Sequence, residues 1–103
     1  MNLARQMAER IREAVRPDRI VLFGSQARGK ARADSDIDLL VVAPSKKPRG
    51  RRAIPLYAML AGSGAPKDIV WWTPEEVSEW SGVRSHFVTA ALREGTVLYE
   101  KPA

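Results

Sequence analysis

The sequence contains no cysteine and a single histidine, His86, among its 103 residues. Without cysteine the chain can form no disulfide, no thiolate metal site and no thiol nucleophile, a composition that suits a reducing compartment. His86 lies near the predicted start of a helix, where a capping or interface role is more common than catalysis. A metal site in this chain would therefore rely mainly on oxygen ligands.

Long hydrophobic runs are also missing. No apolar run approaches the roughly 18 residues that span a bilayer, and residues 1–16 carry charge every few positions, unlike the apolar part of a signal peptide. We therefore expect a cytoplasmic protein without a membrane partner. A chain of 103 residues is the size of one small domain, so we expect residues 1–103 to fold as a single unit.

The charge is unbalanced, with a net value of +5 and an isoelectric point near 10.1. Such a balance favours an anionic partner. Two basic clusters contribute: Arg28, Lys30 and Arg32, and Lys46, Lys47, Arg49, Arg51 and Arg52. They could meet a triphosphate, RNA or an acidic protein surface, or they could be solvated segments. No aromatic residue interleaves the second cluster, which weakens an interpretation based on RNA stacking.

The hydrophobic pattern predicts alternating helices and strands. The predicted helices cover 3–15, 26–30, 49–60, a segment from Thr73, and 85–93; the predicted strands cover 19–23, 36–43, 68–72 and 96–99. This order predicts an α/β (α+β) domain with one small mixed sheet flanked by helices.

The most informative pattern joins a Gly-Ser turn to a pair of carboxylates. Gly24-Ser25 follows the first strand, and Asp36 and Asp38 begin the second. Because side chains alternate along a strand, the two carboxylates share one side. Like charges so close repel unless a cation lies between them. A divalent metal beside a Gly-Ser turn indicates a nucleoside triphosphate.

A third carboxylate, Asp68, lies at the start of the third predicted strand. If the second and third strands are neighbours with matched ends, Asp68 lies beside Asp36 and Asp38. Three carboxylates at one sheet end can hold two Mg²⁺ ions, one for the attacking hydroxyl and one for the phosphates. Asp68 could also act as a base toward that hydroxyl. An aspartate at this place can also be a simple turn residue.

Several motifs together resemble the minimal nucleotidyltransferase (MNT) proteins of the DNA polymerase beta superfamily. They are Gly24-Ser25, Ala27-Arg28-Gly29 and Ser35-Asp36-Ile37-Asp38, followed by an apolar strand. Lys67-Asp68-Ile69-Val70 matches the third acid of the family, and residues 92–100 resemble its closing helix and strand. The resemblance implies a polymerase-beta-like fold. It also implies transfer of a nucleoside monophosphate from an NTP, with ATP as the default, to an acceptor hydroxyl.

The resemblance also assigns roles to individual residues. It implies that Asp36, Asp38 and Asp68 hold Mg²⁺, two ions by expectation, and act in catalysis. It implies that Gly24, Ser25, Arg28 and Ser35 contact the nucleotide. Gly24 would let the backbone approach the phosphates, and Ser25 with the following helix start could donate hydrogen bonds. For Arg28, an ion pair with Asp34 or Asp36 is an equally good interpretation.

A partner is implied as well. Short chains of this family are commonly paired with a small all-helical HEPN-type protein as antitoxin and toxin, and the transferase adenylylates a tyrosine of the helical ribonuclease. The sequence gives independent support. The metal and NTP motifs occupy about the first seventy residues, and the remainder is too short for an acceptor-binding domain, so we expect the acceptor to come from another molecule.

Other interpretations stay open at this point. Gly24 to Ala31 nearly fits the phosphate-binding P-loop, but Ala31 replaces the hydroxyl residue that such loops use for Mg²⁺. The chain could keep the fold and act only as a binding antitoxin or regulator. It could also modify RNA or a small molecule, although family members that act on small molecules carry an additional C-terminal domain.

Overall fold

The computed structural model describes residues 2–24, 36–80 and 87–102, with side chains described for 3–24, 36–80 and 89–102. The predicted short helix over 26–30 and the start of the predicted helix over 85–93 lie outside the described residues. Within them the helices are α1 Asn2–Val15, α2 Arg49–Arg52, α3 Ile54–Met59, α4 Pro74–Trp80 and α5 Phe87–Glu94. The strands are β1 Arg19–Phe23, β2 Ile37–Val42, β3 Lys67–Trp72 and β4 Thr96–Glu100. No helix in these ranges is long and apolar enough to cross a bilayer.

The four described strands form one mixed sheet in the order β3-β2-β1-β4. The strand β1 is antiparallel to both β2 and β4, whereas β2 and β3 are parallel. The register between β1 and β4 shifts at Ile20 and Val21. The predicted mixed sheet, the predicted fold class and the predicted edge strand near residues 96–99 are confirmed.

Strand β2 lies inside the sheet and is covered on both faces, which explains its continuous run of apolar residues. On one face Ile37, Leu39 and Val41 join a core with α1 and α3. On the other face Leu40 and Val42 join a second core with α4 and α5. The helix α1 contributes the stripe Ala4, Met7, Ala8 and Ile11, all buried. With both faces covered by helices, β2 is apolar except for one charged residue, Asp38.

The prediction of one helix over residues 49–60 was wrong, because the chain forms two short helices that meet at Ala53. The physical reason is Pro55, the second residue of α3. Proline has no amide hydrogen, and its ring collides with the carbonyl group four residues earlier, which belongs to Arg51. Tyr57, which contacts the candidate site, lies in the second of these two helices.

The basic cluster at 46–52 is partly structural. Arg52 is 8% exposed, and it donates to both carboxylate oxygens of Glu76, at 2.6 and 3.2 Å, and to the carbonyls of Lys47 and Trp71. Arg49 also reaches Glu76 and lies over the ring of Trp72, 4.2 Å from its centroid. The remaining cations Lys46, Lys47 and Arg51 are exposed.

Glu76 connects this cluster to the start of α4. The amide of Thr73 donates to Glu76, and the amide of Glu76 donates to the hydroxyl of Thr73, at 2.9 and 3.2 Å. This reciprocal pair is a capping box and confirms the predicted helix start at Thr73. The Arg52 guanidinium is the main cause that lowers the pKa of Glu76 to about 2.

Candidate active site

The parallel register places Asp38 directly beside Asp68 on neighbouring strands. Both aspartates are the second residues of their strands, and the pairing is extended by the amide of Ile37, which donates to the carbonyl of Pro66 at 3.0 Å. Asp36 comes just before β2 and is exposed. The predicted neighbourhood of Asp38 and Asp68 is therefore confirmed, although their part in metal binding stays a prediction.

Gly24 lies against the carboxylate of Asp38. Strand β1 ends at Phe23, which pairs with Asp38 in the antiparallel register, and Gly24 then turns the chain with φ of +74°. A Cβ atom on Gly24 would collide with Oδ2 of Asp38. Glycine is needed here for two reasons, the left-handed backbone and the close approach of a side chain. The backbone at Gly24 thus lies against one carboxylate of the pair, that of Asp38.

The electrostatics of the pair favour a cation. Asp38 is half-buried, and burial raises its pKa, with a further rise from the negative charges of Asp68 and Asp36. The negative charges of the neighbouring carboxylates make ionisation of a carboxyl group in this position unfavourable. A bound cation would remove the repulsion, which is the electrostatic condition for a metal site built from carboxylates.

These carboxylates fit a Mg²⁺ ion that also binds the phosphates of a substrate better than a metal whose ligands all come from the protein. Among residues 2–24, 36–80 and 87–102, no group of three His, Cys, Asp or Glu side chains converges closely enough to hold an ion by itself. Mg²⁺ is typically held by one or two carboxylates, waters and the phosphates of a substrate. Two carboxylates in register, with Asp36 exposed beside them, therefore fit an ion whose shell a triphosphate completes.

Tyr57 contacts this site, and sequence reasoning missed it as a site residue. The amide of Ile69 donates to the Tyr57 hydroxyl at 2.7 Å, and the hydroxyl lies 3.3 Å from Oδ1 of Asp68. Burial raises the pKa of Tyr57, and the charges of Asp68 and Asp38 raise it further, against the lowering effect of the Ile69 hydrogen bond. The contact joins α3 to β3 across the turn between them, so no local sequence pattern could have indicated it.

Several predicted residues are not brought into the described site. Ser25, Arg28 and Ser35, the predicted nucleotide contacts, lie outside the described residues, as do His86 and the basic cluster at 28–32. Trp71 and Trp72 face opposite sides of β3, with Trp71 against the α1 core and Trp72 in the α4 core. Both tryptophans lie at the end of β3 away from Asp68.

Comparison with known proteins agrees with this geometry. Residues 4–100 match the family described as "Nucleotidyltransferase domain". Among solved structures, the chain is similar to one from the "Crystal structure of the toxin-antitoxin with AMP-PNP", with a TM-score of 0.63 and 22% sequence identity over 94% of this chain and 73% of that chain. At that identity the likeness concerns the fold. A comparison with curated proteins gives no match.

The family match spans nearly the whole chain, including both strands that carry the carboxylates. It confirms the resemblance to minimal nucleotidyltransferases that the motifs indicated. The chain belongs to the nucleotidyltransferase domain family.

Proposed function

We propose that this chain transfers AMP from ATP to a tyrosine hydroxyl of a small helical HEPN-type partner protein and so acts as an antitoxin. The observation that carries the proposal is the register pair Asp38–Asp68 beside the Gly24 turn. Transfer of a nucleotide requires carboxylates that can hold a metal, a backbone that lies close to the phosphates, and a site that the acceptor can reach. Asp68 is exposed, which leaves it accessible to an acceptor from another molecule.

The proposed reaction is a substitution at the α-phosphorus of ATP. The acceptor oxygen forms a bond to that phosphorus, the bond to the oxygen that bridges to the β-phosphate breaks, and pyrophosphate leaves. The hydroxyl proton goes to a base, for which Asp68 is the candidate. Magnesium, when bound, would supply charge neutralisation at the phosphates and a lower pKa at the acceptor hydroxyl.

The chain's own residues have separate parts in this proposal. Asp36, Asp38 and Asp68 are the proposed ligands for two Mg²⁺ ions. Gly24 brings the backbone close to the phosphates because it carries no side chain. Ser25, Arg28 and Ser35 are proposed to contact the nucleotide.

The proposed partner is supported by two facts. The structure similar in fold is that of a toxin-antitoxin with AMP-PNP. The net charge of +5 also suits an anionic substrate or an acidic partner surface. The same charge, with Lys46, Lys47 and Arg51 exposed, makes RNA the second candidate acceptor.

The proposal is tested by label transfer from α-³²P-ATP with Mg²⁺ in a lysate of the native host. The wild-type chain is compared with the double variant Asp36→Asn, Asp38→Asn, and with Asp18→Asn as a matched control at the opposite end of the sheet. We expect a labelled protein band with the wild type and the control but not with the double variant. Label in nuclease-sensitive material would move the acceptor to RNA. No label with any NTP would favour an antitoxin that only binds.

A further inference from the structure

We propose that Tyr57 is a positioning residue for Asp68, holding its carboxylate in the orientation that receives the metal. This inference rests on the proposed function, since it concerns the same carboxylate pair. Tyr57 lies on α3, whereas Asp68 lies on β3, and Tyr57 does not occur in the motifs that indicated the family. Its role follows only from where the hydroxyl group lies.

The hydrogen bonds of the Tyr57 hydroxyl determine where its proton can go. The oxygen accepts from the Ile69 amide at 2.7 Å. A phenol has one proton to donate, and two acceptors are in reach: Oδ1 of Asp68 at 3.3 Å and the carbonyl of Ile69 at 3.5 Å. The carboxylate is the nearer acceptor and carries the charge, and hydrogen bonds to charged acceptors are the stronger ones.

The hydroxyl is itself fixed by the fold. Strand β3 is an edge of the sheet, so the Ile69 amide, which turns away from β2, needs a partner from outside the sheet. Tyr57 supplies it from α3, which is anchored by Leu56 within the helix and Leu60 directly after it, both buried in the core. The amide of Tyr57 donates to Ala53 at 3.0 Å and closes the first turn after the break. The hydroxyl therefore has a defined position beside Asp68.

Asp68 is the carboxylate that needs such support. Asp38 is half-buried and held against Gly24, whereas Asp68 is exposed. An exposed side chain samples several rotamers, and binding a metal must order them. A partner that holds the carboxylate reduces that loss, and removing such a partner typically weakens metal binding by about 10- to 100-fold.

The test measures metal binding without nucleotide or turnover. Mn²⁺ is titrated calorimetrically into the purified chain as wild type, Tyr57→Phe, and Tyr99→Phe as the matched control on β4. We expect Tyr57→Phe to weaken Mn²⁺ binding by about tenfold or more, with Tyr99→Phe unchanged. Equal affinity of wild type and Tyr57→Phe would overturn the inference and leave the proposed function standing. No Mn²⁺ binding by the wild type would also overturn the inference, because Tyr57 would then orient no metal ligand in the nucleotide-free chain, and the proposed function would still be decided by label transfer.

A double-mutant cycle separates positioning from a general effect on the fold. In the Asp68→Asn background, Tyr57→Phe should have little further effect on Mn²⁺ affinity, because the partner it orients is already altered. An undiminished effect in that background would show that Tyr57 acts through the strand edge and would overturn the inference.

A measurement without any variant is also possible because the chain has two tyrosines. With ¹³C at the ζ position of tyrosine, Mg²⁺ titration should shift the NMR signal of Tyr57, and the signal of Tyr99 should stay constant as an internal reference. A Tyr57 signal that does not respond to Mg²⁺ while Mn²⁺ binds would contradict the proposed contact.

Discussion

Gly24 and Asp38 touch where β1 ends: a Cβ atom at Gly24 would occupy the space of the Asp38 carboxylate oxygen Oδ2. This contact fixes the turn at Gly24 and the carboxylate of Asp38 relative to each other, although the two residues are separated along the chain. The position of Asp38 depends on a residue that has no side chain.

Gly24→Ala is expected to displace Asp38 and to strain the backbone at φ of +74°. A left-handed conformation costs an alanine about 1–2 kcal/mol, and a displacement of about 1 Å at a reacting group can lower the rate about 100-fold. We therefore expect a loss of AMP transfer much larger than the loss of stability. Label transfer and urea unfolding on the same preparations measure the two effects.

Gly50→Ala is the matched control for that substitution. A Cβ atom at Gly50 has no heavy atom of another part of the chain within 4 Å, and the residue lies within α2. Alanine there should leave activity unchanged and should not destabilise the protein, since alanine is the better helix former. Equal loss of activity in both variants would contradict the importance of the Gly24–Asp38 contact.

Asp38→Asn is expected to stabilise the metal-free protein at neutral pH. The folded-state pKa of Asp38 is raised by burial and by Asp68 and Asp36, so the stability from its protonated form is present at low pH and is lost as pH rises through that pKa. Asparagine carries no charge and therefore avoids this loss. We expect the free energy of unfolding to increase by about 1 kcal/mol, because the repulsion between charges in a solvated site is removed. Urea unfolding with a chelator between pH 4 and 7 should give a difference from wild type that grows with pH; a constant difference would contradict it.

Arg52→Ala is expected to destabilise the fold by about 3 kcal/mol or more, because it leaves the buried side of Glu76 without its main partner. The guanidinium also satisfies the carbonyls of Lys47 and Trp71, which tie α2 to β3. The adjacent Arg51 is exposed, so Arg51→Ala should stay within about 0.5 kcal/mol of wild type. Urea denaturation of the two variants compares them directly, and similar values would contradict a structural role for Arg52.

Acid should weaken the fold through Glu76. Its folded-state pKa is lowered from 4.5 to about 2, so the stability that it contributes is present above 4.5 and is lost as pH falls toward 2. The loss amounts to about 3 kcal/mol over that range. Glu76→Gln should remove most of this acid dependence between pH 4.5 and 2, as measured by thermal unfolding. If Glu76→Gln loses stability in acid as the wild type does, the acid dependence arises from other carboxylates.

Much of the fold could be predicted from the sequence because the signals are local. The apolar run at 36–43 indicated a buried strand, and Thr73 before Pro74 indicated a helix start. The carboxylates were recognised because Asp36 directly precedes β2 and Asp38 interrupts it. The break before α3 was also present in the sequence, since Pro55 forbids a continuous helix, but the apolar residues on either side suggested continuity.

The contacts that the sequence did not predict are long-range. Tyr57 reaches Asp68 and Ile69 across the turn between α3 and β3. Arg52 on α2 reaches Glu76 on α4, and strand β3 lies between these two residues in the sequence. Such pairs depend on how elements pack and not on spacing along one element. The Thr73–Glu76 capping box was readable from the sequence, but nothing there indicated that Arg52 would share the same carboxylate.

The central claim is that the pair Asp38–Asp68 carries nucleotidyl transfer. The most direct test measures the rate of label transfer from α-³²P-ATP to the acceptor for Asp38→Asn and Asp68→Asn, with Asp18→Asn as the control. Asp18 also carries a carboxylate but pairs with Lys101 at the far end of the sheet. We expect both site variants to lose transfer and the control to keep the wild-type rate. Transfer at the wild-type rate by either site variant would contradict it.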